Sequence, residues 1–133
     1  MSRQKPILYI VVPCYNEEQV LPHTNPMFVE KIEQLVKKEE IHPLSKIMYV
    51  NDGSKDQTWE LIESYAKSTP SVVGVSQSRN RGHQSSVLAG MYEAIQFADI
   101  VITIDADEQD DINCMDTMVE EYKNGSEIVY GVR

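Results

Sequence analysis

Cysteine, long apolar runs and, over a third of the chain, positive charge are scarce, and each shortage excludes something. The two cysteines, Cys14 and Cys114, stand far apart, with no His or Cys at metal-ligand spacing beside either. Neither a disulfide framework nor a zinc site is expected, and a reducing, cytoplasmic setting fits best. No stretch approaches the roughly 18 consecutive apolar residues of a membrane helix, so the chain as given reads as soluble. The start, "MSRQKPILYIVVPCYNEE", has basic residues before a short apolar run, but acids follow at once and no small-residue cleavage site appears. That pattern reads as a strand rather than a signal peptide.

Lys and Arg are missing between Arg81 and Lys123, where Glu93, Asp99, Asp105, Asp107, Glu108, Asp110 and Asp111 fall. The net charge of -9 is therefore concentrated. Such a segment repels a phosphate backbone, which excludes nucleic-acid binding in its own right. A cation must stand between it and any phosphate it meets. What remains is ordinary for a globular chain: 133 residues, 41% hydrophobic and 25% charged, enough for one domain with a core and too few for two. No repeat, linker or low-complexity tract divides it.

Five β-type runs recur at even spacing: "ILYIVVP", "KIMYVND", "SVVGVSQS", "DIVITID" and "SEIVYGV". Most are nearly continuous in Val, Ile and other apolar residues, as strands buried on both faces of a parallel sheet must be. Helical periodicity fills the gaps. Val87, Leu88, Met91, Ala94, Ile95 and Ala98 line one face at steps of three and four, and Ile112, Met115, Val119 and Tyr122 form a second such stripe. Ser54 with Gln57 reads as a capping box before "TWELIESYAK", and Asn16 with Gln19 as a looser one. Pro22 and Pro26 interrupt the first connection, so its helix is expected to resume after Pro26 and run to about Glu40. The alternation predicts an α/β domain with a mainly parallel sheet and right-handed crossovers.

Ligands of such sheets gather at the carboxyl ends of the strands. Four polar clusters fall there: "PCYNEE", "NDGSKD", "QSRNRGHQ" and "DADEQDD". In "DAD" two carboxylates two residues apart in extended chain project to one side, as hard-oxygen ligands for Mg2+ or Mn2+ would. Helix capping accounts for Asp111 and Asp110 but poorly for Asp105 and Asp107, which would repel each other without a cation. "NDGS" is first of all a turn, yet Asp52 directly after a buried strand is placed to accept hydrogen bonds from a base. In "PCYNEE", Tyr15 is either core or a stacking surface for a nucleobase, and Asn16 could be only a cap. Arg79, Arg81 and Gly82, before a helix start, read either as an anion site or as solvated partners of the acids. His83 is assigned nothing, and Trp59, Tyr65 and the methionines are expected in the core.

Taken in order, "VVPCYNEE", "VNDGSKDQT", "SRNRGHQSSVLAG" and "DADEQD" resemble the family 2 glycosyltransferases with the A-type, Rossmann-like nucleotide-binding fold. Within them the chain is most similar to the branch that moves a sugar onto a polyprenyl phosphate, such as dolichyl-phosphate mannose synthases and bactoprenol glucosyltransferases. The resemblance covers nearly the whole chain. It implies that Pro13, Tyr15 and Glu17 line the nucleotide pocket, that Asp52 contacts base or ribose, and that Arg79 and Gly82 lie near the donor. It implies further that Asp105, with Ala106 beside it, faces the ribose or the metal, that Asp107 is the principal metal ligand, and that Gln109 completes the shell. The donor implied is a UDP- or GDP-sugar and the acceptor a polyprenyl phosphate. The mechanism the resemblance implies is inverting, with a divalent ion stabilising the departing nucleoside diphosphate.

Asn51, Glu108 and Asp111 depart from the usual pattern, where many relatives carry Asp, an apolar residue and Pro. The chain also closes after "EIVYGVR", whereas relatives continue through an acceptor-binding half and often membrane helices. The expectation is a donor-binding half, residues 1–133, catalytically incomplete alone. Its catalytic acceptor-side groups are expected beyond Arg133, and its membrane association, at the cytoplasmic face, through parts outside this sequence. Self-association through an exposed edge or core face is expected too. Three other readings compete with this one. A haloacid-dehalogenase-type phosphatase wants its Asp-x-Asp on the first strand and Thr or Val where Gln109 stands. A nucleotidyltransferase wants a Gly-rich loop where "PCYNEE" has no Gly. A non-catalytic nucleotide-sugar-binding module differs from an enzyme only in chemistry.

Overall fold

Leu8–Cys14 is buried at every one of its seven positions, which an apolar strand achieves only when both faces of its sheet are covered. This strand, β1, is the centre of the computed structural model, which describes residues 5–77, 83–106, 119–120 and 129–132, with the backbone alone for 83–87 and 129–132. Along the chain follow α1 (Leu21–Lys37), β2 (Lys46–Asp52), α2 (Thr58–Ser68), β3 (Val72–Gln77), α3 (His83–Ile95), β4 (Ile100–Ile104) and β5 (Val129–Val132). The strands form one sheet in the order β3-β2-β1-β4-β5, and every pairing is parallel. All five expected strands are present within a residue or three of their sequence limits. The stripe through Ile112, Met115 and Tyr122 lies outside the described residues; of it only Val119 is seen, helical and buried.

The chain steps from β1 to β2 to β3 in one direction, then returns across β1 to β4. A right-handed crossover that reverses direction must change face, and the packing obeys this. Phe28, Ile32 and Leu35 of α1 and Ile62 of α2 share a core with Leu8, Ile10 and Ile102, whereas Ala94 and Met91 of α3 join Tyr9, Val11, Val50 and Val101 on the other side.

Two helices differ from the sequence reading. α1 does not wait for Pro26; it starts at Leu21 with Pro22 in its first turn and runs through Pro26. Pro26 forfeits one bond to the carbonyl of Pro22, but both prolines lie on the exposed side, where water accepts the loss. Leu21, Thr24, Asn25 and Phe28 anchor the buried side, so tertiary packing outweighs local propensity. In α3 the expected apolar stripe divides. Met91, Ala94 and Ala98 face the sheet, while Leu88 and Ile95 are exposed, with Tyr92 76% accessible. Gly90 explains the rotation. A Cβ there would sit 2.4 Å from Val11 Cγ1 and 2.9 Å from Val50 Cγ2, so the helix lies directly on the sheet at its glycine.

Candidate functional site

Because chain order reverses at β1, the crevice between β1 and β4 at their carboxyl ends is the topological switch point, where sheets of this kind bind ligands. Register brings the expected residues to this rim. Cys14 pairs with Asn51 and Asp52 with Gln77; Val11 pairs with Thr103, which carried upward sets Cys14 level with Ala106. Pro13 is the buried penultimate residue of β1. Tyr15, just past the strand, is 39% exposed, which decides against core and leaves its ring accessible. Glu17 is half-buried, Asp52 is 3% exposed at the end of β2, Asp105 is half-buried just after β4, and Ala106 is buried. Thus Pro13, Tyr15, Glu17, Asp52, Asp105 and Ala106 share one rim. Arg79, Gly82, Asp107 and Gln109 lie outside the described residues.

The loops at this rim are built differently from the expected caps. Ser54 does not cap α2. Its Oγ accepts the Asn16 N–H at 3.0 Å, and the helix begins after Gln57 with no side-chain cap of its own. Asp56 stands in, its Oδ1 accepting the Thr58 N–H at 2.9 Å in an Asx turn. Asn16 does not cap α1 either. It adopts a left-handed backbone with φ 54°, and its Oδ1 accepts the Lys55 N–H at 2.9 Å. Thr58 Oγ1 accepts the Glu17 N–H at 2.7 Å and donates to Asp56. Asp56 Oδ2 in turn accepts the Glu18 N–H at 3.3 Å. Burial alone would raise the Asp56 carboxyl, but the bonds from Thr58 and Glu18 outweigh it and hold it below the ordinary value.

Asn51 shows what an amide does at this position. Its Oδ1 accepts the Ser54 N–H at 3.2 Å and its Nδ2 donates to Ser76 Oγ at 3.2 Å, so one side chain joins the ends of β2 and β3 without adding a second charge beside buried Asp52. Asn51 and Asp56 fall within the stretch that the sequence reading places at the rim, and Thr58 just beyond it, but it gives none of them this bonding role. The signal was the spacing Asn-Asp-Gly-Ser-x-Asp-x-Thr, in which the later polar residues look like ordinary turn formers. Cys14 is buried, and burial first, then the Glu17 charge, pushes its thiol well up, so it is a neutral core group.

As for a metal, Asp105 offers a hard oxygen at the end of β4, of the type Mg2+ and Mn2+ take. Among the described residues no group of three or more His, Cys, Asp or Glu is arranged to hold an ion; the other two expected ligands, Asp107 and Gln109, lie outside them. Among the described residues, too, no helix is long and apolar enough to cross a membrane. A groove of about 310 Å³ between α1 and the loops at Pro43 and Pro70 lies at the opposite rim and contains none of the candidate residues.

A doubly wound parallel sheet with its polar loops gathered at the switch point defines a Rossmann-like α/β fold of the nucleotide-handling kind. Within that class, residues 9–133 match Glycosyl transferase family 2, and the chain belongs to that family. It is 44% identical over its whole length to the uncharacterized glycosyltransferase YkoT of Bacillus subtilis, of which it covers 40%. It is 35% identical over 93% of its length to the bactoprenol glucosyl transferase of Shigella phage SfX, of which it covers 38%. The chain therefore spans about 40% of the length of the curated relatives it matches. Among solved structures it resembles S. aureus TarS in complex with UDP, with a TM-score of 0.64, 17% identity and coverage of 86% of this chain and 32% of that one. It also resembles the mannosyltransferase PcManGT of Pyrobaculum calidifontis in complex with GDP-Man and Mn2+, with a TM-score of 0.57, 22% identity and coverage of 77% and 28%. At these identities the likeness is one of fold. Family membership sets the phosphatase and nucleotidyltransferase readings aside.

Proposed function

We propose that this chain is the donor-binding part of an inverting, metal-dependent glycosyltransferase that moves a sugar from a UDP- or GDP-sugar to a polyprenyl phosphate. The observation that carries the reading is the convergence of accessible Tyr15, half-buried Glu17 and Asp105, and buried Asp52 on the switch-point rim. The bactoprenol name of the phage relative supports the acceptor class. The nucleotides in the two similar structures, and the Mn2+ in one, support the donor class and the cation.

In this reading Tyr15 stacks on the nucleobase and Asp52 accepts its N–H donors, a contact that a buried carboxylate makes without competition from water. Asp105 and Asp107, with Gln109, would hold a divalent cation, and Arg79 and Gly82 would lie toward the donor. When bound, the cation supplies positive charge against the diphosphate that leaves. Ionised polyprenyl phosphate needs no strong base to lose a proton before attack.

Calorimetric titration of UDP, GDP and their sugar conjugates, with and without Mn2+, tests the reading. The expected result is Mn2+-dependent binding of one nucleotide, lost in Asp107→Ala. A folded chain that binds neither nucleotide overturns it.

A further inference from the structure

We propose that a hydrogen-bonded clasp between the loop after β1 and the loop after β2 positions the two base-contacting residues, and that Asn16 is its principal positioning residue. The proposal rests on the donor-binding reading of the rim. Three consecutive amides of the first loop, those of Asn16, Glu17 and Glu18, donate to side-chain oxygens of the second: Ser54 Oγ at 3.0 Å, Thr58 Oγ1 at 2.7 Å and Asp56 Oδ2 at 3.3 Å. One bond runs the other way, from the Lys55 N–H to Asn16 Oδ1 at 2.9 Å. Backbone groups of one loop are thus satisfied by side chains of the other, and neither loop can move without giving up several of these bonds, those of Glu17 and Glu18 part-buried.

The clasp acts on ligand residues through backbone geometry. Tyr15 is followed by Asn16 at φ 54° and Asp52 by Gly53 at φ 66°. Each candidate contact is therefore followed by a left-handed residue that turns the chain toward the opposite loop. Glycine adopts this conformation freely; asparagine is among the few other residues that tolerate it. Asn16 is thus asked for two things at once, a left-handed backbone and an acceptor for Lys55. Asn51 anchors the base of the second loop by accepting from Ser54. With both loops fixed, the Tyr15 ring and the Asp52 carboxylate keep a set separation, as stacking on a planar base while bonding its edge requires.

The test compares nucleotide affinity with stability across a set of variants of the whole chain, using UDP and GDP with Mn2+ as probes. Asn16→Ala removes both the acceptor and the left-handed preference, and is expected to weaken the preferred nucleotide by about tenfold or more. Asn16→Asp keeps both and is expected to restore binding to within about threefold. Ser45→Ala is the control: its hydroxyl accepts the Leu8 N–H at 2.9 Å at the far rim, so its loss lowers the melting temperature and leaves affinity unchanged. If Asn16→Ala does not fold, Ser54→Ala, which removes only the acceptor of the Asn16 amide, carries the comparison and is expected to weaken binding. Wild-type affinity in folded Asn16→Ala, or an equal loss in Ser45→Ala, overturns the clasp while the donor site stands. Absence of nucleotide binding in the wild type overturns the donor reading, and the clasp's role with it.

Discussion

At the amino ends of the strands, loops are tied mostly backbone to backbone: His42 N–H donates to the Pro6 carbonyl at 2.8 Å, Ile47 to Ser71 at 2.7 Å and Asp99 to Ile7 at 2.8 Å. At the carboxyl ends the ties run through the side chains of Asn16, Asn51, Ser54, Asp56 and Thr58. Backbone bonds are indifferent to residue type, so the first rim tolerates many sequences. The second requires particular oxygens at particular places. Its residue choice is therefore readable as a motif, and its polar side chains hold a particular shape.

The contrast is cut most deeply at Thr58, whose buried hydroxyl serves both loops. Thr58→Val is expected to cost about 3 kcal/mol, because it strands the Glu17 amide and removes a donor to Asp56; urea midpoints measure the loss, and nucleotide affinity should fall with it. A lesion at neither rim sharpens the comparison. Gly90→Ala drives a methyl against Val11 and Val50 and is expected to cost about 2 kcal/mol by overpacking, with the clasp bonds intact. At the amino rim, Ser45→Ala should cost about 1 kcal/mol and nothing in affinity.

Smaller still is the effect of pH through Asp56. Its native carboxyl lies below the ordinary value, so its contribution is fully present above the unfolded value of about 3.9 and is lost as pH falls through the native one. Asp56→Asn should flatten that part of an acid-unfolding curve. The slightest effect is expected at Cys14. Buried and neutral, it should resist iodoacetamide in the native state and react in denaturant, as peptide mapping would report.

The inner strands β1 and β4 were legible because burial on both faces leaves no room for polar residues, and runs such as "ILYIVVP" have no other use. The clusters at the strand ends were legible for the complementary reason. The capping residues and the start of α1 were not. Ser54 and Asn16 have the right residue types for caps, and nothing local in sequence says that the Lys55 amide, 39 positions away, will claim the Asn16 side chain, or the Asn16 amide the Ser54 hydroxyl. Pro26 misled because a proline on a solvated helix face costs little when the opposite face is anchored. The α3 stripe misled because Gly90 carries no hydrophobic signal, although it fixes which side of the helix meets the sheet.

The central place of β1 has a further consequence, in time rather than space. Its pairing with β2 closes after a loop of modest length, but its other side waits for β4, and the tie from Ile7 to Asp99 spans 92 positions. Loop closure of that length is slow, and contacts of high sequence separation form late. The β1–β2–β3 unit should therefore assemble first, with the switch-point crevice completed only when β4 docks. Pulse-labelled hydrogen exchange during refolding should show amides of β2 protected before those of β4; the reverse order would mean that the crevice itself nucleates the fold.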